Sequence, residues 1–263
     1  MKFKILWIVL SFQFLNIHAG PLHDAVRNND LEQVVILVKE GVDVDSFSDY
    51  GYTALHIAAC YNLFDIAKIL IESGADIDIV SVPKNSSKER TSLQIAAQFN
   101  SFEVAQLLVH SGVNVKKNTW CLGWEPLELA IESNAVDIVK LLIPVTDYIS
   151  GRMLVVAVQQ NSYELVQLLI EAGADVNYDS SLFSVQFGYP LPDWVFVKIR
   201  KGITYTALHC AVEKNYLNIA ALLIKSGAKK DLKGNNPKTP LELATTPEMR
   251  NVFKHFGKTR KKK

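Results

Sequence analysis

The sequence has few of the residues that carry catalysis or crosslinking in small proteins. Only three of its 263 residues are cysteines, Cys60, Cys121 and Cys210. An odd number leaves at least one thiol unpaired in a monomer, and without a Cys-x-x-Cys pair the spacing favours neither a disulfide framework nor a zinc site. The motifs His-Glu-x-x-His and Gly-x-Ser-x-Gly and a phosphate-binding glycine loop are also absent from the sequence. We therefore expect a protein that is not an enzyme and has no cofactor or metal.

Neither sign of charge is in excess over the whole chain. The 28 Lys and Arg residues and 27 Asp and Glu residues leave a formal net charge of +1. A surface this close to neutral argues against a general nucleic-acid binder.

An apolar run without charge occurs at the start of the chain. Lys2 and Lys4 precede the uncharged residues 5–15, and Ile17-His18-Ala19 offers a cleavage site. This order is typical of a secretory signal peptide, and the run is short for a membrane span. We expect residues 1–19 to be removed from an exported protein, secreted or periplasmic. The alternative is an uncleaved segment that anchors the chain to a membrane.

The sequence does contain a repeat with a period of about 33 residues. Seven alanines mark it: Ala25, Ala58, Ala96, Ala130, Ala157, Ala211 and Ala244. The first six are each followed four residues later by an asparagine: Asn29, Asn62, Asn100, Asn134, Asn161 and Asn215. A period of this length indicates a stacked solenoid, in which each unit buries its apolar face against its neighbours.

Each unit shows the pattern of two short helices. The clearest copy, Thr53-Ala54-Leu55-His56-Ile57-Ala58-Ala59, begins with a threonine that can cap a helix, and Thr91, Thr206 and Thr239 begin the same pattern. The recurring asparagine tolerates the left-handed backbone of a sharp turn between helices. A second apolar run then ends at a glycine sixteen residues after the alanine, as at Gly74. The residues beyond this glycine are predicted to be extended links.

These motifs resemble the ankyrin repeat, whose length and Thr-Pro-Leu-His-x-Ala signature they share. The resemblance implies an all-α solenoid of stacked helix-turn-helix units with β-turn fingers over residues 20–255. It predicts repeats at 20–48, 49–81, 87–115, 121–147, 148–177, 202–231 and 235–255, an insertion at 178–201, and a basic disordered tail at 256–263. It also implies that His23, His56 and His209, which share one phase, bond between units and have a structural role.

Two units depart from the pattern. Pro144 lies inside the second apolar run of unit four and should end that helix early. The following unit begins at Arg152 without the usual cap, which predicts a missing finger and a local change in stacking angle.

The insertion at 178–201 is rich in aromatic residues, Trp194 among them. It either packs back on the array as a hairpin or forms an exposed partner-binding finger.

The resemblance implies that the protein is a non-catalytic module that binds a partner protein through its concave face and fingers. Carried over by position, the candidate contact residues are Tyr50, Tyr52, Tyr61, Arg90, Phe99, Trp124 and Tyr205, with Trp194 from the insertion. Tyr, Trp and Arg are the side chains enriched at interface hot spots. We expect a monomer that binds a host or envelope protein, does not bind nucleic acid and has no membrane span after cleavage. Two alternatives are a scaffold in the cell envelope that supports an enzyme, and a nuclear or nucleic-acid-associated effector that uses the basic tail.

Overall fold

The computed structural model describes residues 20–84, 89–116, 125–179, 206–233 and 238–256. Within these ranges the helices are α1 (Pro21–Arg27), α2 (Leu31–Lys39), α3 (Ala54–Tyr61), α4 (Phe64–Glu72), α5 (Ser92–Phe99), α6 (Phe102–His110), α7 (Pro126–Glu132), α8 (Val136–Leu142), α9 (Gly151–Gln159), α10 (Tyr163–Glu171), α11 (Ala207–Glu213), α12 (Leu217–Lys225), α13 (Pro240–Leu243) and α14 (Pro247–Phe256). These residues form no strand, only an isolated antiparallel bridge between Val80 and Thr91. No helix among them is long and apolar enough to cross a membrane.

The helices form seven pairs that stack into two layers. Each odd-numbered helix contacts the next odd-numbered helix, and each even-numbered helix contacts the next even-numbered one. This confirms the all-α solenoid with serial stacking. The stack continues past residues 180–205, because α9 contacts α11 and α10 contacts α12.

Small residues let the first helices approach each other closely. The repeat alanines Ala58, Ala96, Ala130, Ala157 and Ala211 are fully buried, with 0% of their surface exposed. A larger side chain at these positions would push neighbouring units apart, because protein interiors are packed without spare volume. The alanine periodicity is therefore a packing requirement of the stack.

The predicted helix caps are present. The hydroxyls of Thr53, Thr91, Thr206 and Thr239 each accept from the backbone N–H three residues later, whose side chain bonds back to the threonine N–H. The expectation that unit five lacks a cap was wrong, because Ser150 Oγ accepts from Arg152 N at 3.2 Å. Serine offers the same hydroxyl acceptor as threonine, and at this position it pairs with a backbone N–H of the first turn.

The recurring asparagines adopt the left-handed conformation that the sequence predicted. All six have φ between 54° and 59°. Asn62 also joins two units: its Oδ1 accepts from Val104 N at 3.3 Å, and its Nδ2 donates to Glu103. The asparagine therefore shapes the turn in one unit and supports the second helix of the next.

The residues after the terminal glycines form turns, so the prediction of extended links was wrong. Asp76 Oδ1 accepts from Asp78 N at 2.9 Å, and Asp175 Oδ1 accepts from Asn177 N at 2.9 Å. Short Asp and Asn side chains favour such turns by bonding the backbone two residues on. Asp78 Oδ1 also accepts from Asn114 N of the next unit, so the turns connect neighbouring repeats.

Unit four ends as its proline predicted. Helix α8 stops at Leu142 and is followed by a single 3-10 turn, Ile143–Val145, that contains Pro144. Five residues, 146–150, then lead directly into α9. Arg152 Nη1 lies 3.5 Å from Glu128 Oε1, and both side chains are about five-sixths buried. This ion pair joins units four and five where the chain between them is short.

Candidate partner-binding surface

The finger of unit two is a tight turn that positions Tyr52. Ser48 N donates to the Tyr52 carbonyl at 2.9 Å, and Tyr52 N donates to Ser48 Oγ at 3.2 Å. Gly51 between them has φ +80°, and a Cβ at this position would collide with the carbonyl group of Val82. Val82 N also donates to the Gly51 carbonyl at 2.8 Å. Glycine is therefore required where the fingers of units two and three meet.

The finger of unit three fixes the backbone of Arg90. Its carbonyl accepts from Ser81 N at 2.9 Å, and its N–H donates to Ser81 Oγ at 2.9 Å. The same carbonyl lies 3.0 Å from Nε2 of His56, a buried histidine of unit two. The fingers that carry Tyr52 and Arg90 are therefore bonded to each other. The finger of Arg90 is also bonded to helix α3 through His56.

Four side chains of units two and three lie at or next to the predicted contact positions. Tyr52, Tyr61, Arg90 and the Cys60 thiol are all partly exposed. Burial raises the pKa of the Tyr52 hydroxyl, and the positive charge of Arg90 lowers it. Burial lowers the pKa of Arg90, while the charge of Glu132 in unit four raises it. Tyr52, Cys60, Tyr61 and Arg90 belong to units two and three, and we call these partly exposed side chains the aromatic–arginine surface.

Cys60 lies within this surface but is not a reactive group. Burial raises the pKa of its thiol to about 12, so the thiol stays protonated at neutral pH. Neither Cys60 nor Cys210 forms a disulfide with another described residue. Among the described residues no cluster of His, Cys, Asp or Glu is arranged to hold a metal ion.

The remaining predicted contact residues have different positions. Phe99 is half-buried against the core and keeps part of its ring exposed in unit three. The Tyr50 hydroxyl is buried and has no hydrogen-bond partner among the described residues, so it is not presented to a partner. Trp124, Trp194 and Tyr205 lie outside the residues that the structure describes, as do the predicted signal peptide and residues 257–263 of the basic tail.

Further along the array, two side chains that directly follow a first helix bond to the preceding unit. Ser133 Oγ donates to the Ala97 carbonyl at 2.7 Å, and Gln160 Nε2 donates to the Glu132 carbonyl at 3.0 Å. These groups hold units together. They are less available to a partner than the side chains of units two and three.

Sequence reasoning missed one residue of the surface. Burial is the largest influence on the pKa of Tyr61 and raises it, whereas the charge of Arg27 in unit one lowers it. Arg27 follows its repeat alanine by two residues, the same phase as Cys60. Applying that phase to unit one would have placed it at the start of the surface.

All three repeat histidines are buried, and for His56 the structure shows the bond between units that the resemblance implied. Nε2 of His23 lies 3.0 Å from the Ser46 carbonyl, and Nε2 of His56 reaches Arg90 in the next unit. Burial lowers the pKa of His23, His56 and His209, and that of His56 falls to about 4. At neutral pH all three rings are uncharged, as their buried positions require.

Comparison with known families identifies the class of protein. The family model for ankyrin repeats in three copies matches residues 8–81 and 93–180, and the model for a single ankyrin repeat matches residues 205–235. The chain therefore belongs to the ankyrin-repeat family. The first match begins at residue 8, inside the predicted signal peptide. Ankyrin-repeat proteins are protein-interaction modules and are generally non-catalytic.

Relatives of known sequence are similar over parts of their length. The Xenopus tropicalis neurogenic locus notch homolog protein 1 is 32% identical over 202 residues, which are 74% of this chain and 6% of the relative. The mouse B-cell lymphoma 3 protein homolog is 27% identical over 91% of this chain and 42% of the relative. Human protein phosphatase 1 regulatory subunit 27 is 47% identical over 22% of this chain and 38% of the relative. The chain spans less than half the length of each of these relatives.

Solved structures share the fold over most of the chain. The ankyrin repeat domain of Bcl-3 superposes with a TM-score of 0.68 at 25% identity, covering 89% of this chain and 98% of that domain. The human ASB11 ankyrin repeat domain gives a TM-score of 0.68 at 20% identity, with 89% and 96% covered.

Proposed function

We propose that this chain is an exported ankyrin-repeat protein that binds a partner protein through the aromatic–arginine surface. The observation that carries the proposal is the joint positioning of Tyr52 and Arg90 by two fingers bonded to each other. Partly exposed tyrosines and an arginine whose backbone is held in place supply the apolar area and donors that dominate interface energies. The rigid stack means that little conformational entropy is lost when a partner binds.

The surface can be tested by comparing two double variants in affinity capture and in titration of the captured partner. Tyr61→Ala/Phe99→Ala removes two partly exposed rings at predicted contact positions. Phe64→Ala/Tyr163→Ala is the matched control. It also removes one phenylalanine ring and one tyrosine ring, but from second helices, where these side chains are 41% and 46% exposed. Since truncating a hot spot costs about 2 kcal/mol, the first variant should weaken binding at least about 30-fold. The second should bind like the wild type.

A further variant tests the arginine. Arg90→Gln keeps the backbone bonds of the finger but removes the cation beside Tyr52, and it should also weaken capture. If both ring variants and Arg90→Gln recover the wild-type partners equally, this surface is not the binding site.

Export is the second part of the proposal and rests on residues 1–19. Lys2 and Lys4, the uncharged run and Ala19 are consistent with cleavage before Gly20, where α1 begins at the next residue. N-terminal sequencing of the protein recovered from its native cells should give Gly20 as the first residue. Recovery of Met1 in a membrane fraction would instead support the alternative, an anchored or periplasmic scaffold that supports another protein.

A further inference from the structure

Charge is strongly segregated along the chain, although the net charge is close to zero. Residues 214–263 contain thirteen Lys and Arg residues but only three acidic ones, a net charge of +10. Residues 20–213 contain thirteen basic and 24 acidic residues, a net charge of −11. Asymmetry of this size between parts of a chain points to an anionic partner. It also means that the total charge says little about what the C-terminal end can bind.

The solenoid converts this segregation in sequence into segregation in space. Units six and seven, with α11 to α14, lie at one end of the stack because each unit contacts only its neighbours. With neighbouring helices about 8–10 Å apart, the first unit lies roughly 50–60 Å from the last. Charges separated by more than about 8 Å are largely screened at physiological salt, so most of the acidic body does not neutralise this end.

The described residues of units six and seven form a cationic end face. Exposed cations lie on both units: Lys225, Lys229, Lys233, Lys238, Arg250 and Lys254. Lys230, Arg250 and Lys254 line one open concavity, together with Leu241, Ala244, Phe253 and a single carboxylate, Glu242. Leu241 is 52% exposed, an apolar side chain among positive charges. The three acidic residues of the segment, Asp231, Glu242 and Glu248, are far too few to balance them.

We propose that this cationic end face docks on the surface of an anionic lipid bilayer. An exposed leucine beside lysines suits the boundary between headgroups and acyl chains. The acidic body of the array would be repelled by the same membrane, so the solenoid would stand with its C-terminal end down and the aromatic–arginine surface free. A nucleic acid lying along the array would instead meet the acidic units. Residues 257–263, which lie outside the described residues, contain five further cations in the sequence.

Flotation of the full chain with phosphatidylcholine vesicles, with and without phosphatidylserine, tests the proposal. The wild type should float with the anionic vesicles at low salt and be released as salt is raised. Residues 1–19 carry Lys2 and Lys4, which also favour anionic vesicles, so a chain that begins at Gly20 is floated alongside and should show the same preference. Binding to both kinds of vesicle to the same extent would overturn the proposal.

Two charge-matched variants locate the surface. Lys229→Gln/Lys233→Gln/Lys254→Gln removes three exposed cations from the end face and spares Arg250, whose Nε donates to the Ala244 carbonyl. It should lower partitioning into anionic vesicles about 100-fold, because each basic residue near such a surface contributes about 1 kcal/mol. Lys39→Gln/Lys68→Gln/Lys140→Gln makes the same change in charge on the acidic body and should bind like the wild type. Equal losses in both variants would contradict a localised surface.

Two further measurements distinguish this proposal from its rivals. A DNA duplex titrated at the same ionic strength should bind more weakly than the anionic vesicles, and tighter binding to DNA would overturn the proposal. The variant Tyr61→Ala/Phe99→Ala should keep full vesicle binding. The vesicle experiments and the capture experiments therefore test membrane docking and partner recognition independently.

Discussion

His56 of the second repeat bonds through Nε2 to the backbone carbonyl of Arg90 in the third repeat, across 3.0 Å. At the other side of the ring, the Thr53 N–H donates to Nδ1 at 3.2 Å. Because Nδ1 accepts this bond, the proton of the neutral ring is on Nε2, which therefore donates to Arg90. One uncharged imidazole thus caps a helix and holds the finger of the next unit.

The burial of this ring predicts a loss of stability in mild acid. The pKa of His56 is lowered from 6.5 to about 4, chiefly by burial. Above pH 6.5 the ring is neutral in both the folded and unfolded states, so its contribution is fully present. As the pH falls from 6.5 to 4, only the unfolded state takes up the proton, and about 3 kcal/mol of folding free energy is lost. Urea titrations at a series of pH values measure this slope.

The third repeat supplies the control for the acid prediction. Gln94 occupies the position of His56, and its Oε1 accepts from Thr91 N at 2.8 Å. We expect His56→Gln to keep the cap and lose the bond to Arg90, at a cost of about 1 kcal/mol at pH 7. The variant should also show a shallower pH slope, with the residual slope due to His23 and His209. An unchanged slope would show that another group titrates.

A second prediction concerns the start of the long insertion. Gly151, the first residue of α9, lies directly against Tyr178, and a Cβ on the glycine would fall 2.6 Å from Tyr178 Cγ. Gly151→Ala should lower the free energy of unfolding by about 1–3 kcal/mol, because the tyrosine must move. Gly20→Ala is the matched control, since a Cβ there would meet only His23 Nδ1 at 3.8 Å. Thermal melts in which both variants match the wild type would contradict the contact.

A third prediction separates the two roles of Asn62. Asn62→Gly keeps the left-handed turn but loses the side-chain bonds to Val104 and Glu103, and should cost about 1 kcal/mol. Asn62→Ala loses the same bonds and also strains the backbone, which adds about 1–2 kcal/mol. The order of urea midpoints should be wild type, glycine, alanine. Equal midpoints for the glycine variant and the wild type would show that the bonds between units contribute nothing.

The stack could be predicted from the sequence because its requirements are local and repeated. A threonine cap, a small alanine and a left-handed asparagine each depend on a few neighbouring residues, and their agreement in phase made the pattern visible. Pro144 was equally informative, because a proline beyond the first turn removes a backbone N–H that the helix needs and ends it.

The details of the surface could not be predicted, because they depend on contacts between units. Nothing local to Ser133 or Gln160 shows that their side chains bond to the preceding unit and not to a partner. Ser150 was missed as a cap because it lies outside the threonine motif. The near-zero net charge concealed the contrast between the acidic body and the cationic end face, which appears only when the units are laid out in order.

The last repeat affects how the molecule comes apart. Its first helix, α13, is a single turn from Pro240 to Leu243, while α14 rests on α12 through the buried Met249 and Phe253. Because the last repeat has the shortest first helix, its unfolding exposes less buried surface than the unfolding of any other repeat. Amide hydrogens should therefore exchange fastest in this repeat and progressively more slowly toward the middle of the array. This order would show that local unfolding starts at the last repeat and proceeds from unit to unit.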